Sequence, residues 1–169
     1  NDEVAIGYPT TPEVIYGFGI SSSYKKFDLS FFFQGSLNSS FFIDAYKTSP
    51  FIDTSGGAIG NNALLSAWAN DHWSENDRNL YAAWPRLSDQ LIDNNNRNST
   101  WWLRDGSFLR LKSIEFGYSI PDRLASYINI SSARVYITGS NLFTFSKFKL
   151  WDVEMGGNGL GYPIQQGAN

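Results

Sequence analysis

The sequence has 169 residues and a net charge of −3, from 13 basic and 16 acidic side chains. This balance excludes a protein that binds nucleic acid through a strongly basic surface. The chain has no cysteine and one histidine, His72, which excludes disulfides, thiolate chemistry and a zinc site of the usual Cys/His kind.

The composition is rich in aromatic rings and poor in charge. Aromatic residues make up 17% of the chain and charged residues another 17%, whereas an ordinary soluble domain has about 25% charged residues. No apolar run approaches the roughly 20 residues of a membrane-spanning helix. The first residue is Asn1 and not methionine, so we expect the chain to be a piece of a longer protein.

Two alternating runs near the start predict a β-hairpin. In residues 13–24 one parity is apolar and the other is mostly glycine and serine. The apolar set is Val14, Tyr16, Phe18, Ile20 and Tyr24. After Lys25 and Lys26, residues 27–37 alternate in the same way. Two such runs joined by two residues are typical of a hairpin.

Residues 38–106 have no sustained period and predict one very long loop. They number about 70, against about 5 for a typical connection in a compact domain. Within them "NALLSAWANDHW", residues 62–73, has a helical pattern. Connections of this length usually have a function of their own.

Residues 107–120 predict a third strand. The leucines before Lys112 lie on the opposite parity from Ile114, which predicts a β-bulge near Lys112 or Ser113. Pro121 lacks a backbone donor and ends the strand.

The remaining elements complete an all-β antiparallel up-and-down meander. Residues 122–128 predict a short helical turn, and residues 133–143 predict the fourth strand. Ten or eleven residues that rise about 3.3 Å each, at a tilt near 45°, span roughly 25 Å, the height of the apolar band of a membrane barrel. We therefore predict barrel wall, with one face toward lipid and the other toward a lumen. A soluble β-sandwich is the alternative, although its strands usually have about 5 or 6 residues.

Four motifs resemble the C-terminal portion of the SusC/RagA family of TonB-dependent outer-membrane transporters. They are "YGFGISSSYKKFDLSFFFQG", "STWWLRDGSFLRLKSIEFGYSIP", "ARVYITGSNLFTFSKF" and "GYPIQQGAN". The resemblance implies a barrel of about 22 strands with a plugged lumen. It also implies a SusD-like surface lipoprotein as a lid, import of oligosaccharides or peptides, and energy from TonB.

The chain departs from the family pattern in two ways. The N-terminal plug and the TonB box have no counterpart in these residues, and the final strand with a terminal aromatic that usually follows the "YP…G-N" stretch is missing. We therefore expect residues 1–169 to be a C-terminal fragment that forms wall and extracellular loop and is not active alone. With both strand edges and the apolar faces uncovered, we also expect the isolated fragment to self-associate.

The candidate ligand-binding residues lie in or beside the long loop. They are Trp68, Trp73, Trp84, Trp101, Trp102 and Arg104. Indole faces bury sugar C–H surface while hydroxyls stay in water. The alternative is that the tryptophans pack the loop against itself or form an aromatic girdle at the membrane interface.

Two further groups of side chains have both a functional and a structural interpretation. Arg104, Arg110 and Lys112 can bind an anionic substrate or a lid carboxylate, or pair with Asp105 and Glu115. The acids Asp71, Glu75, Asp77, Asp89 and Asp93 offer oxygen ligands for calcium, but without the D-x-D-x-D-G spacing.

No catalytic or cofactor site is predicted. A Ser-His-Asp arrangement would need His72, and no elbow motif surrounds a serine. We therefore expect no enzyme activity and no cofactor. The second functional hypothesis is a soluble all-β carbohydrate-binding module that uses the loop tryptophans.

Overall fold

The computed structural model describes residues 4–45, 66–88, 92–127 and 129–158. The chain divides into two compact units. The sheet unit comprises Pro12–Asn38 and Ser107–Lys147. The loop unit comprises Asn1–Thr11, Ser39–Gly106 and Phe148–Asn169. The loop unit therefore contains most of the predicted loop together with segments from both ends of the sequence.

Six strands and three short helices are present in the described residues. The strands are β1 (Val14–Tyr24), β2 (Phe27–Leu37), β3 (Ser40–Phe42), β4 (Leu103–Asp105), β5 (Phe108–Ile120) and β6 (Ala133–Ser146). The helices are α1 (Ser66–Asn70), α2 (Asp93–Asn96) and α3 (Asp122–Ser126), and a 3₁₀ segment, Val153–Asn158, is interrupted at Gly156. None of the helices in these ranges has the length and hydropathy needed to span a bilayer.

The sheet unit is one antiparallel layer with the strand order β1-β2-β5-β6. This confirms the all-β antiparallel fold class. The last strand continues to Ser146, three residues beyond its predicted end. The predicted helix over 62–73 corresponds to α1, and its first residues, like "GYPIQQGAN", lie outside the described residues.

The bulge in β5 brings the apolar residues of four strands onto one face. Phe31 pairs with Ile114, and Phe33 pairs with Leu111 instead of the next residue in register. The ladder to β6 also shifts between Leu111 and Ser113. The change in parity of the sequence therefore corresponds to a β-bulge at Lys112, within the predicted position near Lys112 or Ser113.

The apolar face of the sheet is uncovered in the described structure. Phe18 is 51% exposed, Ile20 is 59% exposed and Ile137 is 73% exposed. Such large apolar side chains would be buried if they formed the core of a sandwich. The alternative of a soluble sandwich is therefore wrong for these strands.

The opposite face has mostly small and polar residues, with the rings of Phe32 and Tyr136 among them, and an ion-pair network across three strands. Arg134 of β6 donates from Nε to Asp28 of β2 at 3.1 Å and from Nη2 to Glu115 of β5 at 2.6 Å. Its guanidinium also lies over the Tyr136 ring, 5.2 Å from the centroid. Gly117 leaves room for the network, since a Cβ there would collide with Arg134 and Asp28.

The Tyr16 side chain extends from β1 over Gly35 of β2, which has no side chain, and reaches β5. The Tyr16 hydroxyl donates to the carbonyl of Phe108 at 3.3 Å, two strands away. A Cβ on Gly35 would lie 2.6 Å from the Tyr16 ring and would also collide with the Phe108 carbonyl. Glycine is thus required here by close approach of a ring and a backbone.

We expect Gly35→Ala to lower the free energy of unfolding of the sheet by about 1–3 kcal/mol, as overpacking does. The added methyl meets backbone that cannot move without breaking the ladder. Gly139→Ala is the matched control, because the atoms nearest to its added Cβ belong to the side chains of Leu142 and Ile114 and not to backbone. Urea unfolding of the whole protein in detergent would compare the two. Equal effects would contradict the role of Gly35.

The loop unit contains the β3-β4 pair, and backbone hydrogen bonds of the residues after β3 extend this pairing. Ile43 N–H donates to the Trp102 carbonyl at 2.9 Å, and Asp44 N–H donates to the Gly157 carbonyl at 2.8 Å. Phe148 packs edge-on against Phe41, with ring centroids 5.1 Å apart. The predicted long loop therefore contains strands of its own, which were too short, at three residues each, to produce a period in the sequence.

Candidate functional site

Three of the five candidate tryptophans form the core of the loop unit. The rings of Trp68 and Trp84 meet edge to face at 5.2 Å, and those of Trp84 and Trp102 lie 5.8 Å apart. All three residues are less than a tenth exposed. Their burial agrees with the alternative that these tryptophans pack the loop against itself, and their contact with a ligand stays a prediction.

Backbone hydrogen bonds fix the segments that surround this core. Trp73 N–H donates to the Trp84 carbonyl at 2.9 Å, and Trp84 N–H donates to the Asp71 carbonyl at 3.2 Å. His72 Nδ1 bonds to the Trp68 carbonyl at 2.8 Å. Since a carbonyl only accepts, this nitrogen is the donor. The only histidine in the sequence thus holds loop structure.

A cleft of about 760 Å³ lies beside the core, and we call it the loop cleft. The remaining two candidate tryptophans line it, with two arginines, three asparagines, a serine and three apolar residues: Trp73, Trp101, Arg86, Arg97, Asn94, Asn95, Asn98, Ser99, Leu80, Pro85 and Ile92. Its volume is in the range of small-molecule sites, about 300–1,000 Å³. It combines ring faces with hydrogen-bonding groups and positive charge.

The charge of the loop cleft comes from arginines that are available to a ligand. Arg86 pairs with Glu75 at 3.3 Å, and the two side chains are 61% and 70% exposed. Exposed pairs of this kind stabilise little, so a ligand can replace Glu75. Arg97 is exposed and, among the described residues, has no ion-pair partner. Within residues 66–88 and 92–127, no acidic residue lines the cleft.

Arg104 braces the wall next to the cleft. Its Nη1 donates to the carbonyls of Trp101 and Leu103 at 2.5 and 2.9 Å, and its Nη2 donates to the Ala83 carbonyl at 3.5 Å. Burial lowers the pKa of the Arg104 guanidinium from its ordinary value. The side chain lines a smaller cavity of about 460 Å³ with Trp101 and Tyr81. These hydrogen bonds indicate that Arg104 positions Trp101, and its contact with a ligand stays a prediction.

The other predicted cations lie in the sheet unit. Arg110 is buried, with its guanidinium 5.5 Å from the centroid of the Phe108 ring. Lys112 lies at the bulge of β5. Neither is among the lining residues of the loop cleft.

The candidate calcium ligands do not converge in the described residues. There, no three histidine, cysteine or acidic side chains lie close enough to hold a metal ion. Glu75 instead pairs with Arg86, and Asp93 begins α2. Asp89 lies outside the described residues.

Sequence reasoning missed most of the polar lining of the loop cleft. Arg86 and Arg97 lie eleven positions apart in a stretch without a period, so spacing alone could not bring them together. The asparagine cluster from Asn94 to Asn98 was the available signal. Its residues lie in α2 and just after it, and Asn94, Asn95 and Asn98 place amide groups along the cleft.

The sheet unit defines the class of the protein. A single antiparallel layer has an exposed apolar face on one side and mostly small, polar and paired charged residues on the other. This is the wall of a transmembrane β-barrel.

Comparison with known proteins agrees with this class. The chain is 32% identical over 174 residues to TonB-dependent receptor P26 of Formosa agariphila, a match that covers 100% of the chain and 16% of the relative. It is 29% identical over 145 residues to TonB-dependent receptor SusC of Bacteroides thetaiotaomicron, covering 85% of the chain and 13% of the relative. No protein-family model matches.

A solved structure of a transporter is also similar to this chain. The structure of the RagAB peptide transporter superimposes with a TM-score of 0.61 at 27% identity, covering 90% of the chain and 16% of that protein chain. The chain is a segment of a SusC/RagA-like TonB-dependent transporter, a protein of the outer membrane. It spans only 13–16% of the length of the curated relatives.

Proposed function

We propose that the chain forms part of the barrel wall and a surface loop of a TonB-dependent importer of oligosaccharides or peptides. The observation that carries this proposal is the two-sided sheet, with Phe18 and Ile20 exposed on one face and the Arg134 network on the other. Lipid solvates the first face, and the second faces a lumen. The loop unit, on this proposal, lies on the extracellular side and contacts cargo.

The remaining parts of the importer lie outside the described structure. We propose a SusD-like lipoprotein as the lid and TonB as the energy source, acting through a region of the whole protein that this chain does not contain. Similarity to the RagAB peptide transporter and to TonB-dependent receptor SusC supports an importer of this kind. The named relatives are receptors and transporters, and we propose no enzyme activity for the segment.

Uptake by cells that express the whole protein tests the proposal. We expect accumulation of labelled oligosaccharides or peptides, and loss of that accumulation when TonB is depleted. Replacement of residues 71–101 by a flexible linker of equal length should preserve the heat-modifiable barrel on gels and reduce uptake. Uptake that persists at the same rate without TonB would overturn the proposal.

The isolated segment should self-associate. In the described sheet β1 and β6 are the outer strands, so each has one edge without a strand partner. Such edges and an exposed apolar face favour pairing with other chains. We expect light scattering of residues 1–169 to show oligomers in buffer and smaller species in detergent. A monomer without detergent would contradict this expectation.

A further inference from the structure

The loop cleft differs in charge from the chain around it. The whole chain has a net charge of −3, yet among the residues that the structure describes two arginines and no acidic residue line the cleft. A cleft that concentrates one sign of charge attracts a ligand of the opposite sign. Its occupant should therefore be an anion.

The two arginines differ in whether an acidic side chain of the described residues already pairs with them. Arg97 has no ion-pair partner among the described residues, so an anion reaches it without displacing an internal charge. Arg86 is shared with Glu75 at 3.3 Å. Glu75 therefore competes with any carboxylate or sulfate that enters the cleft.

The other lining groups favour a sugar over a peptide. Trp73 and Trp101 offer flat apolar faces, which suit the C–H faces of pyranose rings. Asn94, Asn98 and Ser99 offer amide and hydroxyl groups, which can each both donate to and accept from sugar hydroxyls. The partly buried guanidinium of Arg104 donates to the Trp101 carbonyl and holds Trp101 in place on the neighbouring wall.

We propose that the loop cleft is a binding subsite for an acidic oligosaccharide, with Arg97 as its main anion contact. The carboxylate of a uronate unit, or a sulfate ester, meets the guanidinium of Arg97 while the sugar rings stack on the indoles. This inference rests on the proposed import function and names the chemical class of its cargo.

Calorimetry on the purified whole transporter in detergent tests the subsite. The probes are trigalacturonate, the neutral trisaccharide of the same linkage, and triglutamate. We expect trigalacturonate to bind at least about tenfold more tightly than the neutral sugar, a ratio typical of one charge-assisted hydrogen bond. Added salt should reduce the affinity for trigalacturonate and leave the neutral sugar unaffected.

Substitutions distinguish a binding role from a structural one. Arg97→Gln should remove most of the preference for trigalacturonate, and Arg78→Gln, a change at an exposed loop arginine outside the cleft lining, should leave it unchanged. Glu75→Gln should increase the affinity for trigalacturonate, because it frees Arg86. A gain in affinity is not expected from a substitution that only loosens the loop.

The outcomes of these experiments separate failure of the subsite from failure of the import proposal. Equal binding of acidic and neutral sugars, or equal effects of Arg97→Gln and Arg78→Gln, would overturn the anion contact. Tighter binding of triglutamate would assign the cleft to acidic peptides. TonB-dependent uptake without acidic-sugar binding would reject the subsite alone, and acidic-sugar binding without uptake would reject the import proposal alone.

Discussion

Ile20→Lys is expected to lower the free energy of unfolding of the membrane-embedded barrel by about 2–4 kcal/mol, the cost of a lysine on the lipid face near the bilayer midplane. Ile20 lies in the central part of β1, pairs with Phe31 and is 59% exposed on the apolar face. Its neighbour Ser21 is on the opposite face. Ser21→Lys is therefore the matched control at almost the same depth, and it should cost much less because its ammonium reaches water.

The comparison is made on the whole transporter in lipid vesicles, by urea unfolding and by the heat-modifiable band on gels. A large loss with Ile20→Lys and a small one with Ser21→Lys is the expected result. If the two lysines cost the same, or if Ser21→Lys costs more, the assignment of the two faces to lipid and lumen is wrong.

The second large effect is expected in the loop core. Trp84 contacts both Trp68 and Trp102 and is 3% exposed. Trp84→Ala should reduce the stability of the loop unit by about 3–5 kcal/mol, as removal of a buried aromatic ring does. Hydrogen exchange of backbone amides in the loop unit would measure this loss, since exchange reports the free energy of local opening.

Trp84→Phe is the matched control for the loop core. It keeps a ring against both neighbours and removes Nε1, a buried donor that has no hydrogen-bond partner in the described structure. An unsatisfied buried donor is costly, about 1–3 kcal/mol, so its removal offsets part of the lost ring volume. A loss with phenylalanine as large as that with alanine would contradict the packing described for this core.

The strands were predictable because their signal is local and repeated. Alternation over eleven or more residues specifies both a strand and its two faces, and the break in parity before Ile114 located the bulge that the ladder shows at Lys112. The three-residue strands β3 and β4 were not predictable, because they are too short for any period. They are defined by pairing across about sixty intervening residues.

The candidate site was only partly predictable because burial is decided by tertiary packing. Sequence identified the tryptophans but could not separate Trp84, which is enclosed, from Trp73 and Trp101, which line the cleft. A positively charged Arg104 beside two tryptophans suggested a ligand contact, yet its guanidinium donates hydrogen bonds to backbone carbonyls. Arg97 was overlooked because its cleft is formed by segments that meet only after folding.

The loop unit is assembled from three separate stretches of sequence, and backbone hydrogen bonds join the middle stretch to the other two, from Ser40 to Pro9 and from Asp44 to Gly157. Exchange of residues 39–106 alone between related transporters would therefore leave mismatched partners at both ends of the chain. A chimaera intended to transfer cargo preference should carry all three stretches as one cassette. Natural recombination within this family faces the same requirement, so we expect the three stretches to be inherited together.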